Sequence, residues 1–160
     1  ISVKDIGIIK VQLFPSIARN TVNNFIKYAT EEAYSGSTFH RVVENFMIQG
    51  GKVESNYPPI KGEFISNDVY NVLPHYKGVI SMARSNNKDS ATSQFFIVSK
   101  ASHFLDGEYA SFGGVVAGFD VLEKINILKT IREDPVNPVI IDNITVDLKR
   151  YIPAEVIYIK

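Results

Sequence analysis

What most constrains this chain is a succession of short apolar runs. Residues 39–43, 46–49, 79–83, 94–98 and 112–116 are each rich in aromatic or β-branched side chains and bounded by Gly, Asn, Ser or Asp. Runs of this length and composition are strand signals, too short to bury the stripe of a helix. Upstream, Ile9, Val11 and Leu13 alternate with Lys10 and Gln12, a strand with one buried face, and Pro15 ends it. Late in the chain Ile144, Val146 and Leu148 alternate with Thr145, Asp147 and Lys149, which predicts another strand. Only two stretches carry the helical period. One is Val22, Phe25, Ile26 and Ala29, with Asn20 or Thr21 as N-cap; the other is Phe119, Leu122, Ile125 and Ile127 or Leu128. Many short strands with two helices exclude an alternating α/β sheet and leave a β-barrel or a β-sandwich. The pattern does not choose between them.

At 160 residues the chain suits one domain, 1–160, with a sizeable core. Residues 153–160, which include Val156-Ile157-Tyr158-Ile159, are expected to add a strand or a packing arm. Lys+Arg and Asp+Glu stand at 17 each, so the formal charge is zero, and neither a nucleic-acid footprint nor a polybasic membrane anchor is expected. No apolar run reaches the length of a membrane span. The absence of cysteine excludes disulfides and thiolate metal sites, and three histidines far apart in the chain predict no metal centre. Ile1 stands where a start methionine would be expected, which suggests a chain trimmed or excised from a longer precursor. With no signal-peptide pattern, the expected location is cytoplasmic, and the expected state is a monomer.

The chemistry concentrates in Phe39-His40-Arg41-Val42-Val43-Glu44-Asn45-Phe46-Met47-Ile48-Gln49-Gly50-Gly51. A lone strand arginine is ordinarily a surface cation whose stem covers apolar atoms. Phe46 and Phe96 alone would read as core, as Phe39, Phe95, Phe112 and Phe119 do. Their combination changes the reading. Met47 and Gln49 share one strand face, Gln94 and Phe96 share another, and Glu44-Asn45 is a bend, since Asn tolerates left-handed backbone. One groove then receives Arg41, Phe46, Met47, Gln49, Gln94 and Phe96. Such a mixture suits proline, a compact apolar ring on a tertiary amide. Phe and Met form a slot for the ring, and Arg and Gln supply donors at its edge. Other chemistries find no support. Asp106, Glu108 and Asp120 show no convergence for a two-carboxylate hydrolase. His103 and Asp106 lack a nucleophile elbow. Gly50-Gly51 and Gly113-Gly114 permit turns or close packing, and neither opens a phosphate-binding helix. Residues 86–90 read as a solvated loop.

Together with Ser93-Gln94-Phe95-Phe96-Ile97 and Phe104-Leu105-Asp106-Gly107, that segment resembles the cyclophilin family of peptidyl-prolyl cis-trans isomerases, over nearly the whole chain. The resemblance implies a mainly β fold, a closed eight-stranded antiparallel barrel capped by two α-helices. It implies isomerisation of X-Pro bonds without cofactor or metal, assisting protein folding. Arg41 is then catalytic, with Gln49 holding its guanidinium. Phe46, Met47, Ala83, the backbone of Arg84, Gln94, Phe96, Phe104, Leu105 and Tyr109 bind substrate. The implied partners are proline-containing peptides and unfolded or partly folded proteins, with cyclosporin bound weakly. The stretch Ala83-Arg84-Ser85 through Ser90-Ala91-Thr92-Ser93-Gln94 resembles the bacterial branch. Four departures stand out: Phe104 replaces the family's usual tryptophan, Tyr109 a common histidine, Glu44-Asn45 the usual Pro-Gly bend, and residues 52–59 are short beside the family's loop. Two rival readings are a non-catalytic proline-peptide binding module on the same fold and a lipocalin-like small-molecule barrel, the latter disfavoured because the groove residues map to a surface.

Overall fold

A computed structural model describes residues 1–55 and 57–160. Its strands are β1 (Ser2–Val3), β2 (Gly7–Ile8), β3 (Lys10–Leu13), β4 (Arg41–Val43), β5 (Met47–Gly50), β6 (Val79–Met82), β7 (Phe95–Val98), β8 (Ser111–Ala117), β9 (Thr130–Ile131), β10 (Asp134–Pro135) and β11 (Ile141–Asn143). The helices are α1 (Arg19–Thr30) and α2 (Phe119–Asn126).

Six strands form one antiparallel sheet in the order β3-β8-β6-β7-β5-β4. Its two edges are joined through the ends of the chain. Just upstream of β4, Thr38 bridges Ile140, the Phe39 N–H donates to the Val139 carbonyl at 2.9 Å, and the Ile141 N–H donates to the Ser37 carbonyl at 2.8 Å. β11 pairs with β1, β1 pairs with β2, and β2 runs through Ile9 into β3. The hydrogen-bonded circuit therefore closes. Counting 7–13 and 37–43 as one strand each, it is an eight-stranded antiparallel barrel, and closure pairs both edges of the six-stranded sheet. The hairpin β9–β10 stands outside the circuit.

Alternation along each strand sorts side chains between two cores. Ile48, Ile80, Phe95, Ile97 and Phe112 point inward and are fully buried, in one cluster with the apolar stripes of α1 (Val22, Phe25, Ile26) and α2 (Leu122, Ile125). Phe25 sets its ring within 5.5 Å of both Phe95 and Phe112. The barrel is thus filled by side chains, which removes the lipocalin-like reading. Two glycines make the close approaches possible. Gly51 turns with φ +73°, where a Cβ would meet the Phe95 ring at 2.8 Å, and a Cβ on Gly113 would meet the Gln12 carbonyl at 2.5 Å.

Several expectations need correction. Helix α1 begins at Arg19 after Ala18, so neither Asn20 nor Thr21 is its N-cap. The orphan donors of its first turn are met from a distance. The Glu63 carboxylate accepts the Thr21 N–H at 2.7 Å, the Thr21 hydroxyl at 2.6 Å and the Asn20 N–H at 3.3 Å. The late strand is β11, upstream of the alternating residues 144–148. Ile144 is buried, and Val146 and Leu148 pack on the interior cluster, but among the described residues this segment has no strand partner. Phe119 is not core: at the first position of α2 it is 37% exposed, with the Lys77 ammonium 5.9 Å from its ring.

Residues 153–160 form a packing arm with a single β-bridge, Tyr158 to Ile60. Asn20 brackets Ile157, donating to its carbonyl at 2.8 Å and accepting its N–H at 2.9 Å, and Tyr158 stacks on Tyr57. Of the short segment 52–59, Asn56 lies outside the described residues.

Candidate active site

The outer face of the same strands carries a second, smaller core: Met47, Val79, Phe96, Val98 and Leu105, edged by Phe46, Ala83 and Tyr109. Above it opens a groove of 390 Å³, lined by Arg41, Phe46, Met47, Gln49, Ala83, Arg84, Phe96, Phe104, Leu105 and Tyr109. Antiparallel register explains the convergence. Arg41 of β4 faces Gln49 of β5, Gln49 faces Phe96 of β7, and Phe96 faces Ser81 of β6, so four side chains form one cross-strand row on one face. The Arg41 Nη1–H donates to Gln49 Oε1 at 3.4 Å, and Gln49 Nε2–H donates to Gln94 Oε1 at 3.0 Å. Gln94, expected in the groove wall, therefore stands one step behind it and orients Gln49.

The rim is aromatic. Phe46 sets its ring 5.3 Å from that of Phe104, which is 72% exposed. Tyr109 packs edge-on against Phe96 at 5.7 Å and lies under the Arg84 guanidinium at 4.5 Å. The Arg84 side chain is spent on carbonyls, donating through Nε and Nη2 to Glu108 at 3.1 and 2.9 Å. Its backbone N–H and C=O, by contrast, have no hydrogen-bond partner among the described residues. The bend between Arg41 and Phe46 forms at Asn45, with φ 58°, and the Phe46 N–H closes it onto the Val43 carbonyl at 3.0 Å.

Three groups that shape this site escape a reading of the sequence. Asn126, buried on α2, accepts the Asn45 N–H at 2.9 Å and donates to the carbonyls of Val43 at 2.9 Å and Met47 at 3.3 Å, stapling the β4–β5 bend. Glu133, in the turn between β9 and β10, accepts the Arg41 Nε–H at 2.5 Å. His75 is fully buried, stacked on Phe96 with centroids 6.1 Å apart. Its Nδ1 lies 2.9 Å from Asp106 Oδ1 and its Nε2 3.1 Å from Ser81 Oγ. A carboxylate only accepts, so Nδ1 carries a hydrogen and donates to Asp106, and in the neutral ring Nε2 accepts from the Ser81 hydroxyl. Burial pushes His75 below the ordinary imidazole range, and the attraction of Asp106 offsets only part of this. Burial acts to raise the Asp106 carboxyl, but the His75 N–H and the imidazoles of His103 and His75 outweigh it and hold the group below its ordinary range. The only signal for His75 was a histidine in an apolar context, which ordinarily means a satisfied core residue. Among the described residues no three His, Cys, Asp or Glu side chains gather as metal ligands.

Fold and groove together define a packed β-barrel whose ligand site lies outside the barrel, with one arginine set over an apolar slot. A family model described as cyclophilin type peptidyl-prolyl cis-trans isomerase/CLD matches residues 1–146. The peptidyl-prolyl cis-trans isomerase of Acinetobacter baylyi is 42% identical over 127 residues, covering 76% of this chain and 68% of its own length. Peptidyl-prolyl cis-trans isomerase B of Escherichia coli is 39% identical over 157 residues, covering 88% of this chain and 94% of its own. A cyclophilin-type isomerase of Cryptosporidium parvum, solved in the presence of the dipeptide Ala-Pro, superposes with a TM-score of 0.77 at 26% identity, covering 87% of this chain and 92% of that one. The chain belongs to the cyclophilin-type peptidyl-prolyl cis-trans isomerases, enzymes that rotate the X-Pro peptide bond and bind proline-containing peptides.

Proposed function

We propose that the groove holds the proline of a peptide or of a partly folded protein and that Arg41 is the group that lowers the rotational barrier. The observation that carries this is the cross-strand row Arg41–Gln49–Phe96, which sets a fixed guanidinium beside an apolar floor. Amide resonance holds the X-Pro bond behind a barrier of about 18–20 kcal/mol. A donor aimed at the prolyl nitrogen withdraws the lone pair from resonance as that nitrogen pyramidalises. The twisted amide then binds better than either planar isomer. Lowering the barrier by roughly 7 kcal/mol gives about a 10⁵-fold acceleration. A charged donor in a partly dry groove supplies several kcal/mol of this.

Each remaining residue has a part in that step. Phe46, Met47, Phe96 and Leu105 bury the pyrrolidine ring, worth about 2 kcal/mol at roughly 0.8 kcal/mol per methylene. The free N–H and C=O of Arg84, beside Ala83, pair with the peptide on the other side of the bond. Gln49, oriented by Gln94, keeps the guanidinium from following the substrate. Phe104 and Tyr109 form the wall against which the residue preceding proline moves. A non-catalytic binding module would need the same slot without a placed donor, and the two hydrogen bonds on Arg41 favour the enzyme.

A protease-coupled assay on a proline-containing peptide tests the reading. The unmodified protein is expected to turn over substrate, with Arg41→Ala slower by well over tenfold and folded. Equal rates in the two proteins would remove Arg41 from the mechanism.

A further inference from the structure

The turn between β9 and β10 carries a cost without a local reason. Asp134 pairs with Ile131 and Pro135 with Thr130, so Arg132 and Glu133 are the two loop residues, with φ 52° and 70°. Two-residue loops of this kind favour Asn-Gly because both positions are left-handed. Arg and Glu there are strained, and such strain persists where the surroundings make use of it. Glu133 is used twice. Its carbonyl accepts the Val42 N–H at 2.7 Å, docking the hairpin on β4, and its carboxylate accepts the Nε–H of the adjacent Arg41 at 2.5 Å. The hydrogen bond from Arg41 holds the carboxyl below its ordinary range, so the acceptor stays ionised.

We infer that Glu133 is a positioning residue for the isomerase reaction, fixing the plane of the Arg41 guanidinium through Nε–H while Gln49 holds Nη1. This rests on the reading of Arg41 given above. A guanidinium offers five N–H donors in a planar fork. Glu133 takes Nε–H and Gln49 takes one hydrogen of Nη1, which fixes the plane and leaves the Nη2 edge for the prolyl nitrogen. With Gln49 alone, at 3.4 Å, the fork can turn about its stem and the donor is misaimed for part of the time. Because the pair is half-exposed, at 42% and 48%, its role is aim and not stability.

The strained turn makes this testable with effects of opposite sign. Glu133→Gly keeps the carbonyl that holds Val42, relieves the left-handed position and deletes the carboxylate. Its melting temperature is expected to be unchanged or higher, while kcat falls three- to tenfold and KM for the peptide stays within twofold. Glu133→Gln keeps an acceptor for Nε–H and is expected to recover at least half of the lost rate. In an Arg41→Ala background, Glu133→Gly should change the residual rate by less than twofold. Full turnover in Glu133→Gly, or an equal loss with Arg41 already removed, would overturn the inference while leaving the groove reading intact. Full turnover in Arg41→Ala alone would remove the groove reading and this inference with it.

Discussion

At the scale of single residues, the site separates a donor from the surfaces that hold substrate. Arg41 lies on the outer face of β4 and adds little to either core, so Arg41→Ala should melt within a few degrees of the unmodified protein despite its lost turnover. Arg41→Lys should recover only part of the rate, because an ammonium cannot be gripped by Glu133 and Gln49 together as a planar fork can. A lysine variant with full turnover would show that charge alone suffices. Phe104 governs a different property. It has an apolar face over Phe46 and no N–H where the family's usual tryptophan offers one. A ligand carbonyl placed there loses its partner, at about 1–3 kcal/mol, or roughly five- to a hundred-fold in affinity. Cyclosporin is therefore expected to inhibit the unmodified protein weakly and Phe104→Trp more tightly, with peptide turnover changed less than the affinity for the inhibitor. Titrating inhibition of both proteins checks this, and equal affinities would clear Phe104 of the role.

At the scale of elements, the β4–β5 hairpin and the helix behind it act together. Asn126 satisfies three backbone groups of the bend: it accepts the Asn45 N–H and donates to the Met47 carbonyl and to the Val43 carbonyl, which it shares with the Phe46 N–H. Asn126→Ala should cost about 2–4 kcal/mol, seen as a melting temperature lower by roughly 4–16 °C. A melt unchanged in Asn126→Ala would refute the staple. The sequence made the hairpin legible because strand alternation is strict: Met47 and Gln49 had to share a face, and Asn45 had to turn. It left the staple hidden, because Asn126 lies about eighty residues away and polar residues near a helix end ordinarily serve that helix. The same limit explains Glu63, which caps α1 from a distant loop. Residues 144–148 misled for another reason. Alternation records which side chains are buried, and an extended segment lying on the core shows it without belonging to a ladder.

At the scale of the whole molecule, the buried histidine sets the acid limit of stability. His75 and His40 are both held below the ordinary imidazole value of 6.5, chiefly by burial. Between the ordinary and the folded values the unfolded chain binds protons that the folded chain refuses. Stability is therefore complete above about pH 6.5 and declines as pH falls below it. Asp106 and Asp89, held below 3.8, add a further loss at lower pH. Thermal melts from pH 7.5 to 5 should show this decline, and His75→Gln should flatten part of it; an unchanged slope would exonerate His75. Turnover should stay level from about pH 7 to 8.5, since among the described residues no imidazole or carboxylate lines the groove and the Glu133 carboxylate on Arg41 is held below its ordinary range.

The seam of the barrel has a consequence for synthesis. Ser2 pairs with Asn143 and Val3 with Ile141, so the first strand waits for the last. At about 5–20 residues per second, β1 stays without that neighbour for roughly 7–28 s of translation. Until then the barrel cannot close, and the nascent sheet keeps bare edges. The barrel must therefore close only after Asn143 has been made, and the growing chain is itself a client for whatever shields unfinished proteins.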